Sequence, residues 1–320
     1  MSRKTKIWLI TAGSLILVGC VLFVGVMSVL KWDFAKLSTV KYETNTYETE
    51  ETFSDISIKT DTADIVFALS DDGKCRVECF EEENAKHSVN VENGALVIKR
   101  SESKSRYDYI GLYFGSPKIT VYLPKTEYNA LIIKESTGNI KLPQNFSFAS
   151  ADVSLSTGDV DFLAPVSGNV KIKTSTGDIL VKSASVGSLD LSVTTGKVTV
   201  SGVTGTGDVA VVVSTGKTYL ADISCKSVIS NGDTGSITLS NVVAAETFSL
   251  ERSTGDVKFN DCDAADIYVK TDTGDVTGTL LSDKVYIIDT DTGSVDVPKT
   301  STGGRCEIKT DTGDVKIKVK

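Results

Sequence analysis

Apolar and polar residues alternate along most of the chain, on either side of a turn that recurs every 19 or 20 residues. Each turn carries a Thr-Gly pair, and the residues two and four positions after the glycine and five before it are nearly all apolar. The residues between them are mostly polar, so the alternation predicts strands with one buried face. The ten glycines of these turns are Gly138, Gly158, Gly177, Gly196, Gly216, Gly235, Gly255, Gly274, Gly293 and Gly313.

The equal spacing of the turns predicts an all-β fold, a parallel β-solenoid (β-helix) of about ten rungs over residues 126–320. Each glycine supplies the positive φ of a tight corner, and each strand is expected to pair with its copies in the rungs before and after it. An apolar column seven residues after the glycine, from Val203 to Leu281, predicts a third inward-facing stretch. The last strand, which carries Lys316, Lys318 and Lys320, is expected to lie at the open edge.

An N-terminal β-rich cap is predicted over residues 51–125. Residues 56–67 match residues 306–317 position by position, with Ala63 in place of the glycine, which indicates a degenerate first rung. Asn93-Gly94 is typical of a hairpin turn. The other strands predicted in the cap are 75–80, 88–91, 95–99 and 118–123.

The uncharged segment 7–30 predicts a transmembrane signal anchor, with a cytoplasmic tail at 1–6 and a linker at 31–50. Arg3, Lys4 and Lys6 precede the anchor. The positive-inside rule therefore predicts a single-pass protein of the cell membrane with a cytoplasmic N-terminus and an extracellular body. One alternative remains, because residues 17–20 resemble a lipobox whose cleavage would leave Cys20 lipidated at a new N-terminus. The residues after Cys20 stay apolar, which favours the uncleaved anchor.

The chain resembles a bacterial family of candidate adhesins with β-strand repeats, whose biochemical function is unknown. The resemblance rests on the membrane anchor, on Leu123-Pro124-Lys125 before the first regular rung, and on the repeated Ser-Thr-Gly-Asp-Val turns, and it covers about residues 50–320. It implies a surface-anchored β-solenoid. Some relatives lie near envelope-stress systems. The family has no agreed catalytic site, so no functional residue is carried over.

Charge and rare residues narrow the possible functions. A formal net charge of −8 argues against a nucleic-acid partner. A single histidine, His87, argues against His-based zinc sites and against Ser-His-Asp or Cys-His catalysis. Five cysteines follow the anchor at irregular spacing, so they are expected to pack as small core residues and not as a disulfide framework. The composition therefore predicts a protein that is not an enzyme and has no required cofactor.

Aspartates form two columns beside the repeated glycines. Stacked rungs place such like charges on the order of 5 Å apart, which makes bound calcium chemically reasonable. The alternative is that these carboxylates accept main-chain hydrogen bonds in the turns. The calcium candidates are Asp272, Asp291 and Asp311 before the glycine, and Asp256, Asp275 and Asp314 after it.

A tyrosine-rich segment at 106–115 interrupts the predicted strands. Its aromatic rings suit contact with a sugar or a protein, and the candidate contacts are Tyr107, Tyr109, Tyr113 and Phe114. The alternative is that the segment folds over the N-terminal end of the solenoid and seals its core.

The pattern as a whole predicts a non-enzymatic, membrane-anchored surface protein that acts as an adhesin or as a structural element of the envelope, with a glycan or an envelope protein as partner. Two other functions remain open. One is an envelope-stress accessory protein that works through a membrane partner. The other is a polysaccharide-active enzyme on a β-helix, which would need carboxylates or a base clustered in one groove.

Overall fold

The fold is seen in a computed structural model of the chain, which describes residues 2–33, 36, 41–101, 116–182 and 186–320. One α-helix, α1 (Arg3–Val29), precedes 25 strands in these residues. The strands of the N-terminal part are β1 (Tyr42–Thr49), β2 (Asp55–Lys59), β3 (Asp64–Leu69), β4 (Cys75–Glu82), β5 (His87–Glu92), β6 (Ala95–Arg100) and β7 (Lys118–Leu123).

The strands of the repeats follow one another with short connections. They are β8 (Glu127–Thr137), β9 (Ile140–Leu142), β10 (Ser147–Thr157), β11 (Val160–Phe162), β12 (Asn169–Thr176), β13 (Ile179–Lys182), β14 (Ser188–Thr195), β15 (Val198–Thr204), β16 (Val209–Thr215), β17 (Thr218–Cys225), β18 (Val228–Thr234), β19 (Ile237–Thr254), β20 (Val257–Thr273), β21 (Val276–Leu280), β22 (Lys284–Thr292), β23 (Val295–Asp296), β24 (Gly304–Thr312) and β25 (Val315–Val319).

Stacked copies of the same strand form the solenoid, as predicted. Strand β10 pairs in parallel with both β8 and β12, so Val153 lies between Ile133 and Ile172. All three side chains are fully buried. The inward position is apolar in nearly every rung, and each such side chain stabilises the fold by roughly 1.5–3 kcal/mol through its burial. One continuous core therefore runs along the solenoid axis.

In the regular rungs the repeated glycine forms a corner that has no room for a side chain. At Gly216 the φ angle is 143°, and a Cβ would lie 1.7 Å from the carbonyl oxygen of Gly196 in the neighbouring rung. The same close approach lets the N–H of Gly196 donate to the carbonyl of Thr215 at 3.0 Å. The glycine column therefore sets the spacing of the rungs as well as the direction of the chain.

A second corner lies six residues after the glycine, and its geometry shows that the prediction for Leu281 is wrong. Asp222, Asn241 and Asp261 have left-handed φ angles of 53–54° there. The rung of Gly274 lacks such a residue, so the register shifts and Leu280 pairs with Cys262. The prediction that Leu281 faces inward is wrong, since Leu280 is buried and Leu281 is exposed.

The N-terminal strands continue the solenoid and then close it. Strand β2 pairs in parallel with β8, so Ile58 lies beside Ile133, and a bridge joins Thr62 to Thr137. The degenerate first rung is thus confirmed. Beyond it the strands turn antiparallel, with β5 against β6 and β4 between β1 and β7. The predicted hairpin turn at Asn93-Gly94 is also confirmed, with positive φ at both residues.

At the C-terminal end the rungs do not stack in chain order. Strand β24 pairs on one side with β20, where Ile308 lies beside Val269, and on the other with β22, where it lies beside Ile288. Strand β25 likewise lies between β21 and β23. The last rung is therefore inserted between the two rungs that precede it, and β22 forms the outer edge. The prediction that the lysine-bearing last strand is the edge is wrong.

All six cysteines are free thiols. Cys20 is exposed on α1, and the other five are buried. Cys306 lies beside Ile267 and Tyr286, and Cys262 lies in the third apolar column, so both pack in the core as predicted.

Candidate functional site

The aspartates after the glycines form a ladder of main-chain hydrogen bonds along the corner. Asp256 Oδ1 accepts from the N–H of Asp275 at 3.0 Å, and Asp275 Oδ1 accepts from the N–H of Asp314 at 2.8 Å. Asp314 Oδ1 in turn accepts from the N–H of Ser294. Hydrogen bonds from Lys316 and Ser294 hold the pKa of Asp314 well below its usual value. This column of carboxylates has a structural role in every rung where it occurs.

The aspartates before the glycines form a separate, exposed row. Thr312 lies between Thr273 and Thr292, so Asp311 lies between Asp272 and Asp291. In the part of the chain that the structure describes, neither column gathers three carboxylates close enough to share an ion in the present geometry. Calcium binding at these residues stays a prediction.

The aromatic candidates Tyr107, Tyr109, Tyr113 and Phe114 lie outside the described residues. Their proposed contact with a glycan or a protein therefore also stays a prediction. The described surface has two hollows at the N-terminal end of the solenoid, of about 300 Å³ and 350 Å³, and both are lined by Cys75 and Thr49.

A buried group of three potential metal ligands lies at this N-terminal end. The thiol of Cys79, a carboxylate oxygen of Glu81 and a ring nitrogen of His87 all lie within 4.8 Å of one another. Cys79 and Glu81 are two residues apart on β4, so both face inward, and His87 begins β5 after a short turn. The exposed fraction is 0% for Cys79, 1% for Glu81 and 5% for His87.

Hydrogen bonds fix the carboxylate and the imidazole of this group. His87 Nδ1 lies 2.6 Å from Glu81 Oε2, which also accepts from the N–H of His87. Asn45 Nδ2 donates to Glu81 Oε1 at 2.8 Å. On the far side of the ring, His87 Nε2 lies 2.8 Å from the hydroxyl of Thr60, and Tyr47 OH donates to the His87 carbonyl.

Burial keeps the thiol of this group protonated. Desolvation, with a smaller effect of the Glu81 charge, raises the pKa of Cys79 to about 12. The thiol is therefore a poor nucleophile unless a cation replaces its proton. The arrangement offers one sulfur, one oxygen and one nitrogen donor in a closed space.

A second buried polar cluster lies in the middle of the solenoid. The guanidinium of Arg252 is 1% exposed, and its Nη2 donates to Thr218 Oγ1 at 2.9 Å and to Ser230 Oγ at 3.4 Å. Burial lowers the pKa of Arg252 to about 10. A Cβ at Gly232 would lie 2.6 Å from Arg252 Nη1, so the absence of a side chain there makes room for the guanidinium.

One buried carboxyl lies in the same column as Arg252, near the N-terminal end. Glu135 Oε1 accepts from the N–H of Ala63 at 2.9 Å, where the first rung lacks its glycine. Burial raises the pKa of Glu135 to about 8. The carboxyl is closed off from solvent, which suits a structural role.

The sequence analysis did not identify the group of Cys79, Glu81 and His87 or the cluster around Arg252. A signal was present for each. Thr218 and Ser230 are polar exceptions in otherwise apolar columns, and both turn out to be the partners of Arg252. Glu81 occupies an inward position on β4, where an unpaired carboxylate is rarely found.

The fold defines the class of protein as a parallel β-solenoid closed at its N-terminal end by antiparallel strands. The chain belongs to the Toastrack DUF4097 family, whose model matches residues 53–214 and 208–320. No functionally curated protein matches the chain.

Several solved structures are similar to the chain at low sequence identity. A candidate adhesin from Bacteroides fragilis is 15% identical, with 87% of this chain and 97% of that chain covered and a TM-score of 0.45. A candidate adhesin from Parabacteroides merdae is 12% identical, with coverages of 76% and 97% and a TM-score of 0.42. A candidate cell adhesion protein from Clostridium sporogenes is 12% identical, with coverages of 88% and 100% and a TM-score of 0.25.

Proposed function

We propose that this chain is a surface protein that is tethered to the cell membrane through residues 7–30 and that binds a partner without converting it. The observation that carries the proposal is that an exposed apolar helix precedes a solenoid whose core is complete without it. Helix α1 spans 27 residues with a mean hydropathy of 2.5 in its most apolar window, and none of that window is buried by the rest of the chain. The solenoid that follows has its own closed core.

The charges beside the helix support an extracellular body. Arg3, Lys4 and Lys6 lie at its N-terminal end, which favours a cytoplasmic tail under the positive-inside rule. Trp8 and Trp32 are exposed near the two ends of the helix, as interfacial anchors are.

A binding role is favoured over catalysis by the position of the reactive groups. The groups whose pKa burial displaces most, such as Glu135, Arg252 and Cys306, are enclosed in the core and far apart along the chain. A glycoside hydrolase needs two carboxyl groups about 5–10 Å apart beside an accessible groove. The outward side chains of the rungs are instead mainly lysine, threonine, serine and aspartate, which suit hydrogen bonding to a glycan or an envelope protein.

The test is binding of the full chain, held in lipid nanodiscs, to a glycan array and to purified cell-wall polysaccharide. We expect saturable, selective binding without release of products. The variant Y107A/Y109A should lose that binding, whereas Tyr219→Ala, which removes an exposed tyrosine from a rung, should keep it. Repeating the assay with a calcium chelator tests the aspartate columns. Turnover of a polysaccharide, or no binding to any polysaccharide or envelope protein, would contradict the proposal.

A further inference from the structure

We infer that Cys79, Glu81 and His87 bind one zinc ion and so form a metal site at the N-terminal end of the solenoid. The inference is independent of the proposed function. It starts from the convergence of the chain's single histidine, a buried thiol and a buried carboxylate on one point, with donor atoms within 4.8 Å of one another.

The donor set selects the class of metal. Zinc accepts sulfur, nitrogen and oxygen ligands, and sites with three protein ligands leave the fourth position to water. Calcium and magnesium prefer oxygen ligands, so a thiol and an imidazole disfavour them. The site therefore differs in its chemistry from the aspartate columns.

Zinc binding needs only small shifts of the three donor atoms. Ligands at 2.0–2.3 Å from a tetrahedral zinc ion are separated by roughly 3.3–3.7 Å. The donor atoms here lie within 4.8 Å, and His87 Nδ1 and Glu81 Oε2 are already closer than the bound separation, at 2.6 Å. Zinc would replace the proton between these two atoms, move them apart by roughly 0.7 Å and draw in the thiol of Cys79.

Outer hydrogen bonds hold the ligands as they do in established zinc sites. Metal-bound histidines commonly donate from their second ring nitrogen to an oxygen atom, which fixes the ring. His87 Nε2 lies 2.8 Å from Thr60 Oγ1 and so leaves Nδ1 directed at the carboxylate. Asn45 Nδ2 holds the other carboxylate oxygen of Glu81. The two ligands are thus oriented before the metal arrives.

The structure also shows a cavity near the site and a consequence that binding would have. The cavity of about 300 Å³ at this end is lined by Tyr47, which contacts the His87 carbonyl, and by Val77, two residues before Cys79. Strand β4 extends one face of the solenoid through β7, and β5 extends the other through β6. An ion held by both strands would therefore cross-link the two faces where the repeats end.

The experiment uses the full chain in detergent, first stripped of metal and then titrated with Zn²⁺ or with Co²⁺ as a spectroscopic probe. We expect one zinc ion per chain, a near-ultraviolet thiolate-to-cobalt charge-transfer band, and a higher melting temperature with zinc than with calcium. Cys79→Ser keeps the Glu81–His87 contact but removes the thiolate, so it should abolish the band and weaken zinc binding about 100-fold or more.

The matched control is Cys75→Ala. Cys75 lies on the same face of the same strand and is also buried, but it is not part of the group. This variant should keep both the stoichiometry and the band. His87→Gln should lose them, and far-ultraviolet circular dichroism shows whether that variant is folded. The inference is overturned if the folded wild-type chain takes up neither metal, if Cys79→Ser binds zinc like wild type, or if Cys75→Ala loses the band equally. If the folded wild-type chain takes up neither metal, Glu81 and His87 act only as a hydrogen-bonded clamp.

Discussion

Arg252 donates a hydrogen bond to Thr218 across two rungs of the solenoid, at 2.9 Å and out of contact with solvent. The two residues are 34 positions apart, and Thr218 alone breaks the apolar pattern of its column. Together with Ser230 they form a polar cluster in which no acidic side chain bonds the guanidinium among the described residues. The cluster fixes which rungs lie side by side, because only this register gives the buried cation its acceptors.

A thermodynamic cycle tests that relationship. Thr218→Val should destabilise the fold by about 1–3 kcal/mol, because it removes an acceptor from a buried charged donor. In an Arg252→Met background the same substitution should be neutral or stabilising, since no charge is then left without a partner. The measurement is the urea midpoint of the full chain in detergent, with circular dichroism as the signal for unfolding. Equal effects in the two backgrounds would show that Thr218 and Arg252 are not coupled.

The raised pKa of Glu135 predicts a pH dependence of stability. Its folded value is about 8, above the usual 4.5 of the unfolded chain. Between these pH values unfolding releases a proton, so the free energy of unfolding falls as pH rises and levels off above pH 8. Glu135→Gln keeps an acceptor for the N–H of Ala63 and removes the pH-dependent contribution of this carboxyl to the free energy of unfolding. We expect the variant to match wild type near pH 4 and to exceed it by on the order of 3 kcal/mol at pH 9.

The control for that prediction is Glu127→Gln, on the same strand but exposed. Its pH profile should follow wild type. If the profile of Glu135→Gln does so as well, the carboxyl of Glu135 ionises freely in the folded chain.

The glycine corners predict a sharp contrast between two alanine variants. Gly216→Ala would place a Cβ 1.7 Å from a main-chain oxygen, so we expect a loss of roughly 3–5 kcal/mol. At Gly205 the nearest atoms would lie 3.4 Å away, and alanine should change stability by less than about 1 kcal/mol. Urea midpoints of both variants give the comparison. Similar losses would mean that the glycine column does not set the close packing of the rungs.

The inserted last rung is tested by disulfide trapping. Lys309 lies between Lys270 and Asp289 on adjacent strands, and all three side chains are exposed. The pair K270C/K309C should therefore cross-link under mild oxidation. The pair K270C/D289C should not, because two strand spacings separate its Cα atoms by nearly 10 Å. Stacking in chain order predicts the reverse, so a cross-link in the second pair alone would contradict the observed order.

Much of the fold follows from rules that act within one rung. The Thr-Gly corner and the inward positions beside it are repeated, so a prediction made for Val153 holds for Ile133 and Ile172 as well. The order of the last rungs does not follow from such rules. Ile288 and Ile308 occupy equivalent positions before equivalent Asp-Thr-Gly turns, and either one satisfies the core beside Val269.

The buried polar groups could not be predicted from the sequence, for a different reason. Cys79 and Glu81 are predictable as neighbours on one face of a strand. Their contact with His87 depends on the antiparallel closure of β4 and β5 against different partners, which no local pattern encodes. Arg252 likewise finds one acceptor, Ser230, in the adjacent rung and another, Thr218, two rungs away along the axis. Long-range contacts of single residues are therefore the part that the repeat pattern could not supply.

The central claim is that the solenoid stands outside a membrane that α1 crosses. The five cysteines of the body are buried, so a cysteine introduced at the exposed Lys299 gives a site for a membrane-impermeant maleimide on intact cells. We expect Lys299→Cys to be labelled on intact cells and Thr5→Cys only after lysis, with little labelling of the wild-type chain in either case. Labelling of Lys299→Cys only after lysis would contradict the account.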